Sequence, residues 1–278
     1  MKRALSGLAA LTLFDIASAH AQAPPVFNWT GFYAGGHAGY RNDQVSATSP
    51  YGGFPNVTFG FPGTVSFPVL TTSASHDSGA GVFGLQGGYN LLFAPNFLAG
   101  IEADFSGGGE RSTTSFTSAG GPLGAVSSNS FTTTIDWSAS VRGRLGYVSG
   151  PWMLYATAGV SFLNMGMSGH GGYGKSATFG GGDFFTTVSS SSSYSLSKTP
   201  TAPVFGGGIE KMLPNNLLVR AEYLFADYGT VNFGNALIVN SYSDNNTCHC
   251  TVSSITSGTP SAHVVTQTVR LGLSVKIP

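Results

Sequence analysis

The stretch DWSASVRGRLGY, residues 136–147, sorts with a period of two. Ile135, Trp137, Ala139, Val141, Gly143, Leu145 and Tyr147 fall on one side, and Asp136, Ser138, Ser140, Arg142, Arg144 and Gly146 on the other. Such alternation describes a β-strand with one apolar and one polar face. The pattern recurs. In GFYAGGHAGY (31–40), Phe32, Ala34, Gly36, Ala38 and Tyr40 share a face, and in VFGLQGGYNLL (82–92) Phe83, Leu85, Gly87, Tyr89 and Leu91 oppose Gln86 and Asn90. In FLAGIEADFS (97–106), Phe97, Ala99, Ile101, Ala103 and Phe105 oppose Glu102 and Asp104. WMLYATAGVSF (152–162) sets Trp152, Leu154, Ala156, Ala158, Val160 and Phe162 against Tyr155, Thr157 and Ser161. VFGGGIEKM (204–212) sets Phe205, Gly207 and Ile209 against Glu210, and LLVRAEYLF (217–225) sets Leu217, Val219, Ala221, Tyr223 and Phe225 against Arg220 and Glu222. In VVTQTVRLGLSVKI (264–277), Val269, Leu271, Leu273, Val275 and Ile277 oppose Arg270, Ser274 and Lys276.

These segments predict eight strands near 31–40, 81–92, 97–106, 133–148, 152–162, 203–212, 217–227 and 263–277. Each is about the ~9–11 residues that cross a bilayer as a tilted strand. FAPN, VSGP and LPNN join alternate pairs as tight turns. The other connections, roughly 41–80, 107–132, 163–201 and 229–261, are long, rich in Ser, Thr, Gly and Asn, and poor in patterned apolar residues. A compact soluble domain does not carry such loops. The expected fold is all-β: an eight-stranded antiparallel transmembrane β-barrel with short periplasmic turns and long extracellular loops.

If the apolar face meets lipid, its aromatics should gather at the two water boundaries. At the long-loop ends stand Tyr40, Phe83, Phe105, Trp137, Phe162, Phe205 and Phe225, and at the short-turn ends Phe32, Tyr89, Phe97, Tyr147 and Trp152. Two girdles emerge. The polar faces then put Glu102, Asp104, Asp136, Glu210 and Glu222 beside Arg142, Arg144, Arg220, Arg270 and Lys276, inside a bore just wide enough for its own side chains. Charges there must be paired. Lys211 alone has apolar-face parity, at the periplasmic rim where its stem can snorkel.

Composition narrows the class. Equal numbers of acidic and basic residues in 278 argue against a nucleic-acid partner, which needs a basic patch. Past the N-terminal leader, no apolar run reaches the ~18 residues of a membrane helix. The leader itself, with Lys2 and Arg3, an apolar Leu5–Ile16 stretch and the small-residue segment ASAHAQA, predicts a signal peptide, 1–21, cut after Ala21, with residues 22–278 as the barrel domain.

The segments FNWTGFYAGGHAGY, GLQGGYNLLFAPNFLAGIEADFSG, DWSASVRGRLGYV, LYATAGVSF, GGGIEKMLPNNLLVRAEYLFADYG and VRLGLSV resemble the small opacity-like, porin-family outer-membrane proteins of alphaproteobacteria. The resemblance runs in order from residue 27 to the C-terminus, outside the long loops. It implies an eight-stranded barrel in the outer membrane and a surface-exposed, often antigenic protein. Members are variously described as structural proteins, porins, adhesins or haem binders. The family usually ends in an aromatic residue that helps the barrel assembly machinery recognise the last strand; here Ile277 stands near that place and Pro278 follows it, a departure from the family pattern.

Other motifs are weaker. GHGGYGKS (169–176) matches a phosphate-loop pattern, but that mechanism needs a strand before it and a helix after it, and a polar glycine-rich loop surrounds it here. Cys248 and Cys250 are the only cysteines and flank His249; a small loop disulfide is favoured over a soft-metal site in an oxidising compartment. His37 points inward, away from lipid, and His76, His170, His249 and His263 lie in loops or near the outer rim. No catalytic residue, metal or cofactor is assigned. The expected function is a non-enzymatic structural and surface-interaction barrel, meeting outer-membrane lipid, lipopolysaccharide, the barrel assembly machinery and an extracellular or host ligand. The alternative is a narrow porin-like channel for small solutes.

Overall fold

The computed structural model describes residues 27–51, 54–58, 64–67, 70–119, 126–179, 184–244 and 250–277. The strands are β1 (Gly31–Tyr51), β2 (Phe54–Thr58), β3 (Thr64–Phe67), β4 (Leu70–Ala94), β5 (Phe97–Ala119), β6 (Val126–Ser149) and β7 (Trp152–Phe179). They continue with β8 (Phe184–Lys198), β9 (Thr201–Leu213), β10 (Leu217–Asn232), β11 (Ala236–Asp244), β12 (Cys250–Gly258) and β13 (Ser261–Lys276). Antiparallel pairing runs β9, β7, β6, β5, β4, β1, β13, β10 and back to β9, a closed ring of eight. Closure leaves no edge in that ring, so every backbone group there can pair within it.

The turns at the closed end follow local chemistry. Between β4 and β5, Val148 N–H donates to Asn96 O and the Asn96 amide donates to Val148 O, both at 2.8 Å. Gly150 turns β6 into β7 at φ +57°, and Asn215 and Asn216 take φ of 65° and 62° between β9 and β10. Asparagine tolerates that left-handed region better than other residues with a Cβ.

Above the outer aromatic ring the walls continue. The connections predicted as loops are largely strand: β7 runs 28 residues, through Phe179. The reason lies inside. Val45, Ala47, Phe131, Ile135, Leu163, Met165 and Met167 turn inward at alternate positions and, with Val204, Tyr228, Phe233 and Val264, form an apolar cluster within the upper bore. Many serines and threonines face outward, with Ser46–Ser75 and Thr48–Ser73 hydroxyls 2.9 Å apart across β1 and β4. Sparse inward apolar residues between Ser, Thr and Gly are a weak alternation, which is why it reads as loop.

Two features interrupt the walls. Short non-strand connectors at Thr199–Pro200, Phe233–Asn235 and Thr259–Pro260 separate β8, β11 and β12 from the ring strands β9, β10 and β13. Proline cannot donate to a ladder, so it ends one; Pro200 and Pro260 carbonyls instead accept from Leu163 and Phe233 at 3.1 and 3.0 Å. Bulges at Gly107–Glu110 on β5 and Ile135–Trp137 on β6 shift the register. Gly108 takes φ +133° there, and a Cβ on it would lie 2.4 Å from Gly81 O.

The closed-end mouth is filled too. Trp29, Tyr33, Leu98, Val148, Met153, Tyr155, Met212 and Leu218 form a second buried apolar cluster, and the Trp29 indole N–H donates to Gly150 O at 3.2 Å. Inward glycines give the large groups room. A Cβ on Gly88 would lie 2.5 Å from the Tyr33 hydroxyl and 2.4 Å from Ile101 O, whereas one on outward Gly87 would meet nothing nearer than 3.5 Å. Gly88→Ala is therefore expected to destabilise the barrel by ~1–3 kcal/mol through overpacking, and Gly87→Ala to leave its urea midpoint unchanged.

Candidate functional site

Between the two apolar clusters the bore holds a lattice of ions. Glu102 and Asp104 of β5 and Arg142 and Arg144 of β6 face Glu210 of β9, Arg220 and Glu222 of β10 and Arg270 of β13. Some pairs are direct cross-strand neighbours: Glu102 lies opposite Arg142, Glu222 opposite Arg270 and Glu210 opposite Arg220. Others span the bore. Arg142 reaches Glu222 at 3.1 Å as well as Glu102 at 2.5 Å and Asp104 at 2.9 Å. Arg144 joins Glu102 at 3.3 Å to Glu210 at 3.2 Å. Arg270 joins Glu222 at 2.6 Å to Asp104 at 3.0 Å, and Arg220 binds Glu102 and the Gln86 carbonyl.

Uncharged groups complete it. Tyr33 donates to Glu102 at 2.5 Å and accepts from Arg144 at 2.9 Å; Tyr155 donates to Glu222 at 2.9 Å. The Arg144 guanidinium also lies over the Tyr155 ring, 4.4 Å from its centre. Ser140 donates to Asp104 at 2.5 Å, and Gln86 donates to Ser274 at 2.8 Å. Every strand of the ring supplies at least one group. His37 Nε2 lies 2.8 Å from Ser106 Oγ, both enclosed in the bore.

The sequence-predicted ions mostly lie here. Glu102, Asp104, Glu210, Glu222, Arg142, Arg144, Arg220 and Arg270 are brought together, and Lys276 is buried at the closed end without an acid in ion-pair range among the described residues. Asp136 is a correction. The bulge at Ile135–Trp137 inverts the face: Ile135 is buried in the bore and Asp136 is exposed outside. One extra residue moves a side chain to the opposite face. Sequence reading passed over Tyr33, whose odd-numbered parity with His37 was the available signal, and over Arg41 and Asp43, which continue that face beyond the predicted strand.

The aromatic positions Phe32, Tyr40, Phe83, Phe97, Phe105, Tyr147, Trp152, Phe162, Phe205 and Phe225 are exposed on the outer wall, with Tyr89 and Trp137 partly covered. Phe32 packs on Tyr89 at 4.7 Å, Phe97 on Tyr147 and Phe105 on Trp137 at 5.6 Å, and Lys211 Nζ sits 4.8 Å from the Trp152 ring centre. Residues 169–176 lie within β7, paired to β6 and β8, and no helix follows among the described residues, so the strand–loop–helix order of a phosphate loop is not found there. Residues 1–26, Cys248, His249 and Pro278 lie outside the described residues, and so does the side chain of Cys250, with which β12 begins.

A closed ring with a polar lattice inside and apolar side chains outside is the architecture of an outer-membrane barrel, and the model of the family described as "Outer membrane protein beta-barrel domain" matches residues 6–247. The chain belongs to that family. This outer-membrane β-barrel protein is 31% identical over 234 residues to the "31 kDa outer-membrane immunogenic protein" of Brucella melitensis, covering 82% of this chain and 84% of that one. It is 26% identical over 213 residues to the "22 kDa outer membrane protein" of Rhizobium leguminosarum, covering 77% and 71%.

Above the outer girdle the barrel protein carries a smaller cluster. Arg41 Nε donates to both Asp43 oxygens at 2.9 and 2.8 Å, fully buried. Burial, followed by the hydrogen bond and charge of Asp43, pushes the Glu110 carboxyl up to about 8, and burial holds His76 below its ordinary 6.5. Because Glu110 is raised, the stability tied to its proton is full below 4.5 and is lost as pH rises through about 8. The His76 contribution has the opposite sign and is complete above 6.5.

Two expectations follow from the ions. Arg142→Ala takes one partner from each of Glu102, Asp104 and Glu222 and leaves the buried lattice one positive charge short; it should cost ~3–5 kcal/mol, against ~0.5 kcal/mol or less for exposed Lys198→Ala, read as urea midpoints. Between pH 6.5 and 9 the wild-type unfolding midpoint should fall, and Glu110→Gln should flatten that decline.

Proposed function

We propose that this outer-membrane protein is a non-enzymatic structural and surface-interaction barrel with a sealed bore. One observation carries the reading: the bore is plugged at three levels, by the Trp29–Met153 cluster, the ion lattice and the Phe131–Met165 cluster. Ions committed to one another from opposite walls hold the fold, and they leave no continuous row of free charges to guide a solute. His37 and Ser106 are enclosed with them and meet no substrate path.

The upper tier then serves as the working surface. Its outward Ser and Thr rows suit hydrogen bonding to lipopolysaccharide saccharide and to an extracellular or host ligand, and its apolar belt below faces lipid between the aromatic girdles. Export through a leader cut after Ala21, followed by insertion by the barrel assembly machinery, completes the reading; intact-mass measurement of the purified mature chain checks the cut.

Single-channel recording of the refolded protein in a planar bilayer tests the sealed bore. A silent bilayer is expected. Discrete, reproducible current steps would instead establish the narrow channel, with Arg142, Arg144, Glu102 and Glu222 as its selectivity residues.

A further inference from the structure

A chamber of about 30 Å³ lies between the ion lattice and the upper apolar cluster, lined among others by Arg41, Ser106, Ser161, Tyr228, Thr266 and Arg270. Arg41 is 2% exposed. Asp43 occupies only its Nε, and neither Nη1 nor Nη2 has an acceptor within hydrogen-bond distance among the described residues. A buried guanidinium with unmatched N–H donors is costly unless something accepts them.

Several of the polar groups that line the chamber are committed elsewhere. The Asp104 carboxylate also borders the chamber, but Arg142, Arg270 and Ser140 already hold it. Ser161 and Tyr228 bond each other at 2.6 Å, and Ser106 bonds His37. What the chamber lacks is an acceptor that needs no donor in return.

We propose that this chamber binds one small monovalent anion of halide size, chloride in a saline medium, with Arg41 as its principal donor. A chamber of about 30 Å³ admits an ion of one or two water volumes, and excludes larger organic anions. The site stands apart from the sealed-bore reading, because the ion accepts from the Arg41 Nη groups whether or not the bore conducts.

The test is anomalous diffraction from wild-type protein refolded and crystallised in bromide. The expected result is a bromide peak in the chamber against the Arg41 Nη atoms. Water alone in the chamber, or bromide confined to the outer surface as an adventitious ion only, overturns the proposal. In solution, wild-type protein should unfold at a higher temperature in sodium chloride than in sodium isethionate of equal ionic strength. Equal midpoints count against the site. The paired change Arg41→Met with Asp43→Asn removes both members of the buried pair, and should abolish the chloride preference; its survival in the folded double variant would also overturn the assignment to Arg41.

Discussion

A charge buried in a narrow bore must find its opposite across that bore, and this requirement organises the protein. Arg142 bridges Glu102 and Asp104 on one wall to Glu222 on another, and Arg144 ties Glu102 to Glu210. Each bridge fixes the spacing of two strands that share no ladder. Backbone hydrogen bonds close the ring, and the ion lattice sets what the ring encloses. Inward glycines are part of the same constraint: Gly88, Gly208 and Gly272 stand where any Cβ would collide with Tyr33, Tyr155 or Arg220. Large ions and absent side chains are complementary parts of one packing problem.

The lattice also divides the interior by chemistry. Apolar clusters occupy both ends, polar groups the middle, and the outer wall inverts the order with lipid-facing apolar residues around the charged zone. Burial between two apolar plugs lowers the local dielectric, which strengthens each pair and raises the cost of removing one partner. A single truncation at Arg142 is therefore felt by three carboxylates.

Much of this was legible in the sequence. Strict alternation in 137–147, 97–106 and 217–225 identified the ring strands, and the ions opposite the aromatics identified the bore. The misreading of Asp136 has a physical source: Ile135 suits a lipid face and Asp136 a polar bore, so alternation alone accepted the wrong parity. Only the pairing of β6 with β7 reveals the bulge. Strand length failed for another reason. In the upper tier water bathes the outer face and Ser, Thr and Gly replace the greasy residues, so the inward Val45, Phe131 and Met165 were the sole signal and were too sparse to read. Arg41 and Asp43 were hidden by that truncation, although they continue the parity of Tyr33 and His37.

The breaks at Pro200, Phe233–Asn235 and Pro260 have an evolutionary consequence. They fall between β8 and β9, β10 and β11, and β12 and β13, so β8, β11 and β12 form a cassette joined to the membrane ring through short connectors and through the ladder of β8 with the upper part of β7. Insertions, deletions and recombination within that cassette can change the exposed face without disturbing the register below. Sequence change in the outermost tier thus has a structural boundary in this chain, with the ring strands lying below it.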